Sequence, residues 1–147
     1  MTEEKLALHD LDVRNLQRLA KYLESGLKPG TEFNMRHFYN SHEADAATEC
    51  GTVGCAVGHG PYAGIPKSQE ETWAEYSYRV FGIPPYSNAW EWLFGVRWAY
   101  SEKFSSHLSA AKRIHVFLKA GNSIPWSSED PEIKAMLDDA FKSFDLN

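Results

Sequence analysis

The chain has 147 residues, 43% hydrophobic and 24% charged, which is the length and composition of one soluble globular domain. Fifteen Lys and Arg stand against 20 Asp and Glu, and the net charge of −5 gives no electrostatic reason for binding nucleic acid or a membrane. Two cysteines are too few for a disulfide scaffold.

The opening residues, Met1 to Asp10, place acids where a secretory leader needs a basic region. No apolar run approaches membrane-spanning length, so a cytoplasmic protein is expected. Leu11, Leu16, Leu19, Ala20 and Leu23 then recur at helical spacing. With Asp10 or Asp12 as the cap and Gly26 as the stop, they predict a helix over 11–25. From Leu27 to Glu49 the periodicity weakens, and Phe33, Met35 and Phe38 suit a short strand or a tether.

The run Cys50-Gly51-Thr52-Val53-Gly54-Cys55-Ala56-Val57-Gly58-His59-Gly60-Pro61 follows. Thr52 as a cap and Gly60-Pro61 as a stop predict a short, buried, glycine-rich helix at 52–60. Each glycine lowers helix propensity by about 1 kcal/mol relative to alanine, so close packing has to compensate.

Ser68 and Glu71 match a capping box, with Trp73, Tyr76, Val80 and Phe81 as the buried face before Gly82 and Pro84-Pro85. Ser87 starts a short helix that ends at Gly95. A further helix runs from Ser105 or Ser106 to Ala120, with Leu108, Ala111, Ile114, His115 and Leu118 inward. Asp130-Pro131 opens the last, with Ile133, Met136, Leu137, Ala140, Phe141 and Phe144 facing the core. The sum is a mainly α single domain over 1–147, with five to six helices around the glycine-rich one. A minor two- or three-stranded β element in 27–66 is compatible with this pattern.

Candidate chemistry concentrates in one place. His37, His42, Cys50, Cys55 and His59 put five metal-ligand types within 23 residues, so zinc is the one cofactor the sequence suggests. On a helix Cys55 and His59 share a face, and Cys50 can approach it. The spacing Cys-x4-Cys-x3-His is nevertheless not a common zinc pattern. A cysteine at a helix start is also a candidate nucleophile, which makes Cys50 and Cys55 catalytic candidates with His59, His115 or His107 as base. As plain packing residues the same cysteines are small hydrophobes at a tight contact. The chain has no phosphate-loop, HExxH or G-x-S-x-G signature, which leans against an enzyme.

Aromatic residues make up 14% of the chain, and they are densest from Trp90 to Trp98. Rings there fill the core, or Trp92 and Trp98 with Arg97 form a protein-binding anchor.

Read together, Phe33-Asn34-Met35, the Cys50–Pro61 run and Trp90-Glu91-Trp92-Leu93-Phe94 resemble a family of small uncharacterised proteins found in phage and bacterial genomes. The resemblance spans about residues 12–120. It implies a phage-type, intracellular context and transfers no activity. The expected function is therefore a non-enzymatic accessory protein that binds a host or phage protein and modulates defence or replication. The alternative is a cysteine-dependent enzyme or zinc-binding protein using Cys50, Cys55 and His59.

Overall fold

The computed structural model describes residues 5–30, 32–33, 53–54 and 56–145. Five helices dominate: α1 (Asp10–Ser25), α2 (Trp73–Phe81), α3 (Asn88–Phe94), α4 (His107–Lys119) and α5 (Pro131–Asp145). Two-residue strands β1 (Glu32–Phe33) and β2 (Val53–Gly54) pair in parallel, Glu32 opposite Val53 and Phe33 opposite Gly54. Single 3-10 turns occupy Pro61–Ala63 and Val96–Tyr100. The buried side chains form one cluster, so the domain is mainly α with one core.

Helix α1 is central and lies against both α4 and α2. Leu16, Leu19, Ala20 and Leu23 are fully buried, while Leu11 faces outward at 64% exposure. Asp12 acts from inside the first turn, its carboxylate accepting from His9 N at 3.0 Å. That bond satisfies a backbone donor that the helix itself leaves unpaired. Asn15 Nδ2 donates to Val80 O at 2.8 Å and ties α1 to the end of α2.

Helix α2 begins later than the Ser68 cap implies. Ser68 N does bond Glu71 Oε1 at 3.2 Å, but this closes a turn, not a helix. Glu71 is drawn into a two-bond pairing with Arg79, which holds its carboxyl below the ordinary range. The working box is Thr72 with Glu75, Thr72 N to Glu75 Oε1 at 2.9 Å and Glu75 N to Thr72 Oγ1 at 3.0 Å. Thr72→Ala is expected to cost about 1 kcal/mol, or about 3 °C in Tm, measurable by thermal denaturation. Ser68→Ala should cost less, since no helix hangs on it.

The glycine-rich helix at 52–60 is not formed. Val53–Gly54 is strand β2, and residues 56–60 are successive turns, with His59 N to Ala56 O at 3.3 Å and Gly60 N to Val57 O at 2.9 Å. Glycine's low helix propensity has no local compensation here, and an available partner strand captures the start of the run. The interior placement does hold, since Ala56, Val57 and His59 are fully buried. Thr52 and Cys55 lie outside the described residues.

Ser87 caps α3 through Trp90 N at 3.1 Å, Ser106 caps α4 through Ser109 N at 3.1 Å, and Asp130 caps α5 through Glu132 N at 2.8 Å. Helix α4 is rotated from its expected face. Ala110, Ala111, Arg113, Ile114 and Phe117 are buried, while Leu108 and His115 are exposed. On α5, Met136, Ala140 and Phe141 are buried and Ile133 and Leu137 pack partly against the core. The side chain of Phe144 lies outside the described residues.

Candidate functional site

A cluster of rings gathers where the end of α1, strand β1, the 56–62 turns and the start of α4 meet. His59 is fully buried there. Its Nδ1 is 3.3 Å from the Tyr22 hydroxyl, and its ring centroid lies 5.8 Å from Tyr22, 5.9 Å from Phe33 and 5.9 Å from Tyr62. Tyr22 Oη also accepts from Lys28 N at 2.8 Å, and Lys28 Nζ stands 4.8 Å over the Tyr62 ring.

His107 enters from the other side. It is the first residue of α4, and its ring meets Phe33 edge-on at 6.1 Å. Its Nδ1 lies 2.8 Å from Leu23 O. Leu23 is in the last turn of α1, where carbonyls lack a partner within the helix, so the imidazole meets an acceptor that needs it. Both histidines thus touch the ring of Phe33, whose partner in the ladder is Gly54, the residue before Cys55 in sequence.

Of the residues singled out from sequence, His59 and His107 belong to this cluster and His115 does not. His115 Nε2 sits 3.1 Å from Glu24 Oε1 on the exposed face of α4. Cys50, Cys55, His37 and His42 lie outside the described residues. Among the described residues no group of three or more His, Cys, Asp or Glu is placed to hold a metal ion.

Trp92 and Trp98 are core residues, not surface anchors, at 0% and 1% exposure. Their indole N–H groups find carbonyl acceptors, which makes burial affordable. Trp92 Nε1 donates to Arg113 O at 3.1 Å, and Trp98 Nε1 donates to Trp92 O at 2.9 Å and Glu91 O at 3.0 Å. Arg97 donates to Ala140 O at 3.2 Å and pins α5. Among the described residues the large exposed rings are instead Tyr78, Tyr86 and Tyr100. Tyr86 holds φ at +65°, a left-handed conformation that a bulky residue rarely adopts. A groove of about 480 Å³ between residues 100–104 and α5 contains none of the histidines of the cluster.

Sequence reading missed Tyr22 and Tyr62 as neighbours of His59. Tyr62 has a local signal, since it follows the His59-Gly60-Pro61 turn by one residue. Tyr22 has none, because it arrives from another helix.

No family model, curated protein or solved structure matches the chain. No helix among the described residues is long and apolar enough to cross a membrane.

Proposed function

We propose that the chain carries histidine-assisted thiol chemistry, with Cys55 or Cys50 as the nucleophile and the His59–His107 cluster as its acid–base equipment. The observation that supports this is the meeting of two imidazoles on Phe33, which the ladder pairs with the residue preceding Cys55. A thiolate is the reactive form of cysteine, and an imidazole within reach can take the thiol's proton and hold the resulting anion. Zinc held by Cys50, Cys55 and His59, with His42 or His37 as the fourth ligand, is the metal version of the same site.

The test counts thiols that react with a disulfide reagent in the native protein at pH 7, beside zinc content. One thiol is expected to react faster than a cysteine peptide, to vanish in Cys55→Ser or Cys50→Ser, and to slow on His107→Gln. Stoichiometric zinc that survives dialysis would favour the metal version. Two thiols that react only on unfolding, with no zinc, would overturn both.

A second reading keeps an accessory protein, of phage type, that binds a host or phage protein and modulates defence or replication. Its support moves from the tryptophans to Tyr86, which is 63% exposed and held at positive φ. Residues kept in costly conformations concentrate at binding sites. In this reading Tyr86→Ala abolishes partner binding while Trp92 acts only through stability.

A further inference from the structure

We propose that the outer stripe of α1, with the 60–67 segment beside it, is a docking face for the phosphate backbone of duplex nucleic acid. It stands apart from the thiol reading, since no cysteine or histidine takes part.

The net charge of −5 averages over a surface on which the signs are separated. Residues 13–23 of α1 hold three cations, Arg14, Arg18 and Lys21, and no acid. All three are exposed. With 3.6 residues per turn they fall within about 60° of one another around the helix, opposite the buried Leu16, Leu19 and Leu23. None of the three makes an ion pair among the described residues. Asp10, one turn before Arg14, bounds the stripe at one end. At the other, Glu24 turns aside to His115, whose Nε2 is 3.1 Å from its carboxylate.

The face continues across the neighbouring segment. Arg18 Nη1 lies 3.4 Å from Gly64 O, which seats residues 60–67 alongside α1. Those residues contain Lys67 and no acid. Lys67 Nζ donates to Ser68 O at 3.0 Å and stands 4.9 Å over the Trp73 ring, at the edge of the face. Arg79 reaches the same segment through Pro66 O at 3.0 Å, but Glu71 takes up its charge and also feels Lys67. The row that remains uncompensated is therefore the one on α1. Glu102, Asp138 and Asp139 lie elsewhere, around the groove between residues 100–104 and α5.

A row of cations is matched by a partner whose anions come as closely. Arg14 to Lys21 spans about 10 Å along the helix. A duplex presents one charge per about 1.7 Å of its axis, so each of the three cations meets a phosphate. An extended acidic peptide turns successive side chains to opposite faces and offers one carboxylate per about 7 Å, a sparser match. Single strands are held by stacked rings, and the ring beside the stripe, Tyr62, is half-buried with Lys28 Nζ 4.8 Å above it. The two arginines add planar forks that pair with phosphate oxygens.

The test is the fluorescence anisotropy of a short labelled duplex titrated with the full chain. Expected is binding tighter than about 100 μM at about 50 mM salt, weakening about 20-fold at about 150 mM, as the counterions of three phosphates are released. Arg14→Gln combined with Arg18→Gln should flatten the salt slope from about −2.7 to about −0.9. Lys103→Gln combined with Lys134→Gln removes the same charge from the acid-rich elements and should leave the slope unchanged. All four positions are exposed, so the fold is common to the proteins compared. No binding at the lower salt overturns the inference, and so do equal losses from the two double variants. Displacement of the duplex by polyglutamate of equal charge would assign the face to an acidic protein and overturn it as well. Tighter binding of a single strand of the same length would overturn the assignment to a duplex.

Discussion

Replacing Arg113 by methionine is expected to stabilise the protein by about 1–2 kcal/mol, and so raise its Tm by several degrees. Arg113 is fully buried on α4, with Nη1 donating to Phe104 O at 2.9 Å and the guanidinium carbon 4.0 Å above the Trp98 ring. Among the described residues its Nε and Nη2 have no hydrogen-bond partner and no carboxylate pairs with it. Burial pulls its pKa well below the ordinary guanidinium value, to about 9. A drop of that size corresponds to about 5 kcal/mol of penalty on the charged form. Stacking on a desolvated indole returns about 2 kcal/mol, and the bond to the carbonyl about 1.5. The charge therefore loses by a small margin, and methionine keeps most of the stem's volume while removing it. Arg113→Ala should behave oppositely, losing about 3 kcal/mol to the cavity left by the missing stem, since the loss of the bond to Phe104 O is common to both variants. Chemical denaturation of both variants decides the matter. A methionine variant more than 1 kcal/mol less stable than the parent would mean that the guanidinium is a net stabiliser.

The same group writes a pH signature. Its folded pKa lies below its unfolded one, so from about 9 up to the ordinary guanidinium value the unfolded chain binds more protons and stability rises with pH. Below that window the penalty is complete. Tyr76 acts with the other sign: burial raises its phenol far above 10, so its contribution is whole below pH 10 and is lost at higher pH. Between pH 9 and 10 the arginine acts without that opposition, and the parent should gain about 1 kcal/mol that Arg113→Met does not gain. Equal slopes in the two proteins would exclude the assignment.

Arg113 also marks the limit of what the sequence could disclose. Caps were legible at Ser87, Ser106 and Asp130 because capping is chemistry between residues two or three apart. The face of α4 was not, because its stripe of 110, 113, 114 and 117 contains an arginine that only tertiary neighbours make acceptable in the core. Trp92 and Trp98 failed for a related reason: whether an indole goes inside depends on a carbonyl within reach, and Trp92's lies on α4. The 52–60 segment read as a helix because small residues with glycine stops are compatible with one, yet its partner strand stands about twenty residues earlier. At the candidate site the Cys50–His59 concentration was visible as composition. The meeting of His59 with Tyr22 and of His107 with Leu23 spans three separate elements and leaves no local trace.

Gly60→Ala should cost about 3 kcal/mol, a large effect for a single methyl group, and it shows why this segment is glycine-rich. Gly60 has φ −53° and ψ −47°, a conformation open to every residue, so backbone strain plays no part. The obstacle is Tyr76. A Cβ at position 60 would overlap Tyr76 Oη and lie 3.0 Å from Cζ and Cε2. The ring has nowhere to retreat, being fully buried, edge-on to Trp73 at 5.5 Å and to Phe81 at 6.3 Å, and its hydroxyl donates to Ile65 O at 2.5 Å. Either the turn moves, breaking the Ile65 N to Gly60 O bond at 3.2 Å, or the hydroxyl gives up its acceptor. Gly64 supplies the contrast. It sits at φ +90° with nothing nearer a Cβ than Arg18 Cδ at 3.9 Å, so Gly64→Ala should cost only the left-handed conformation, about 1 kcal/mol. Tyr76→Phe removes the overlapping oxygen together with its hydrogen bond, and should cost about 1–2 kcal/mol alone. Combined with Gly60→Ala it should give a double variant clearly more stable than the two single losses predict, because the methyl group then meets less of the ring. Strict additivity would mean that the methyl group is accommodated elsewhere and that the approach of Tyr76 to Gly60 does not explain the glycine.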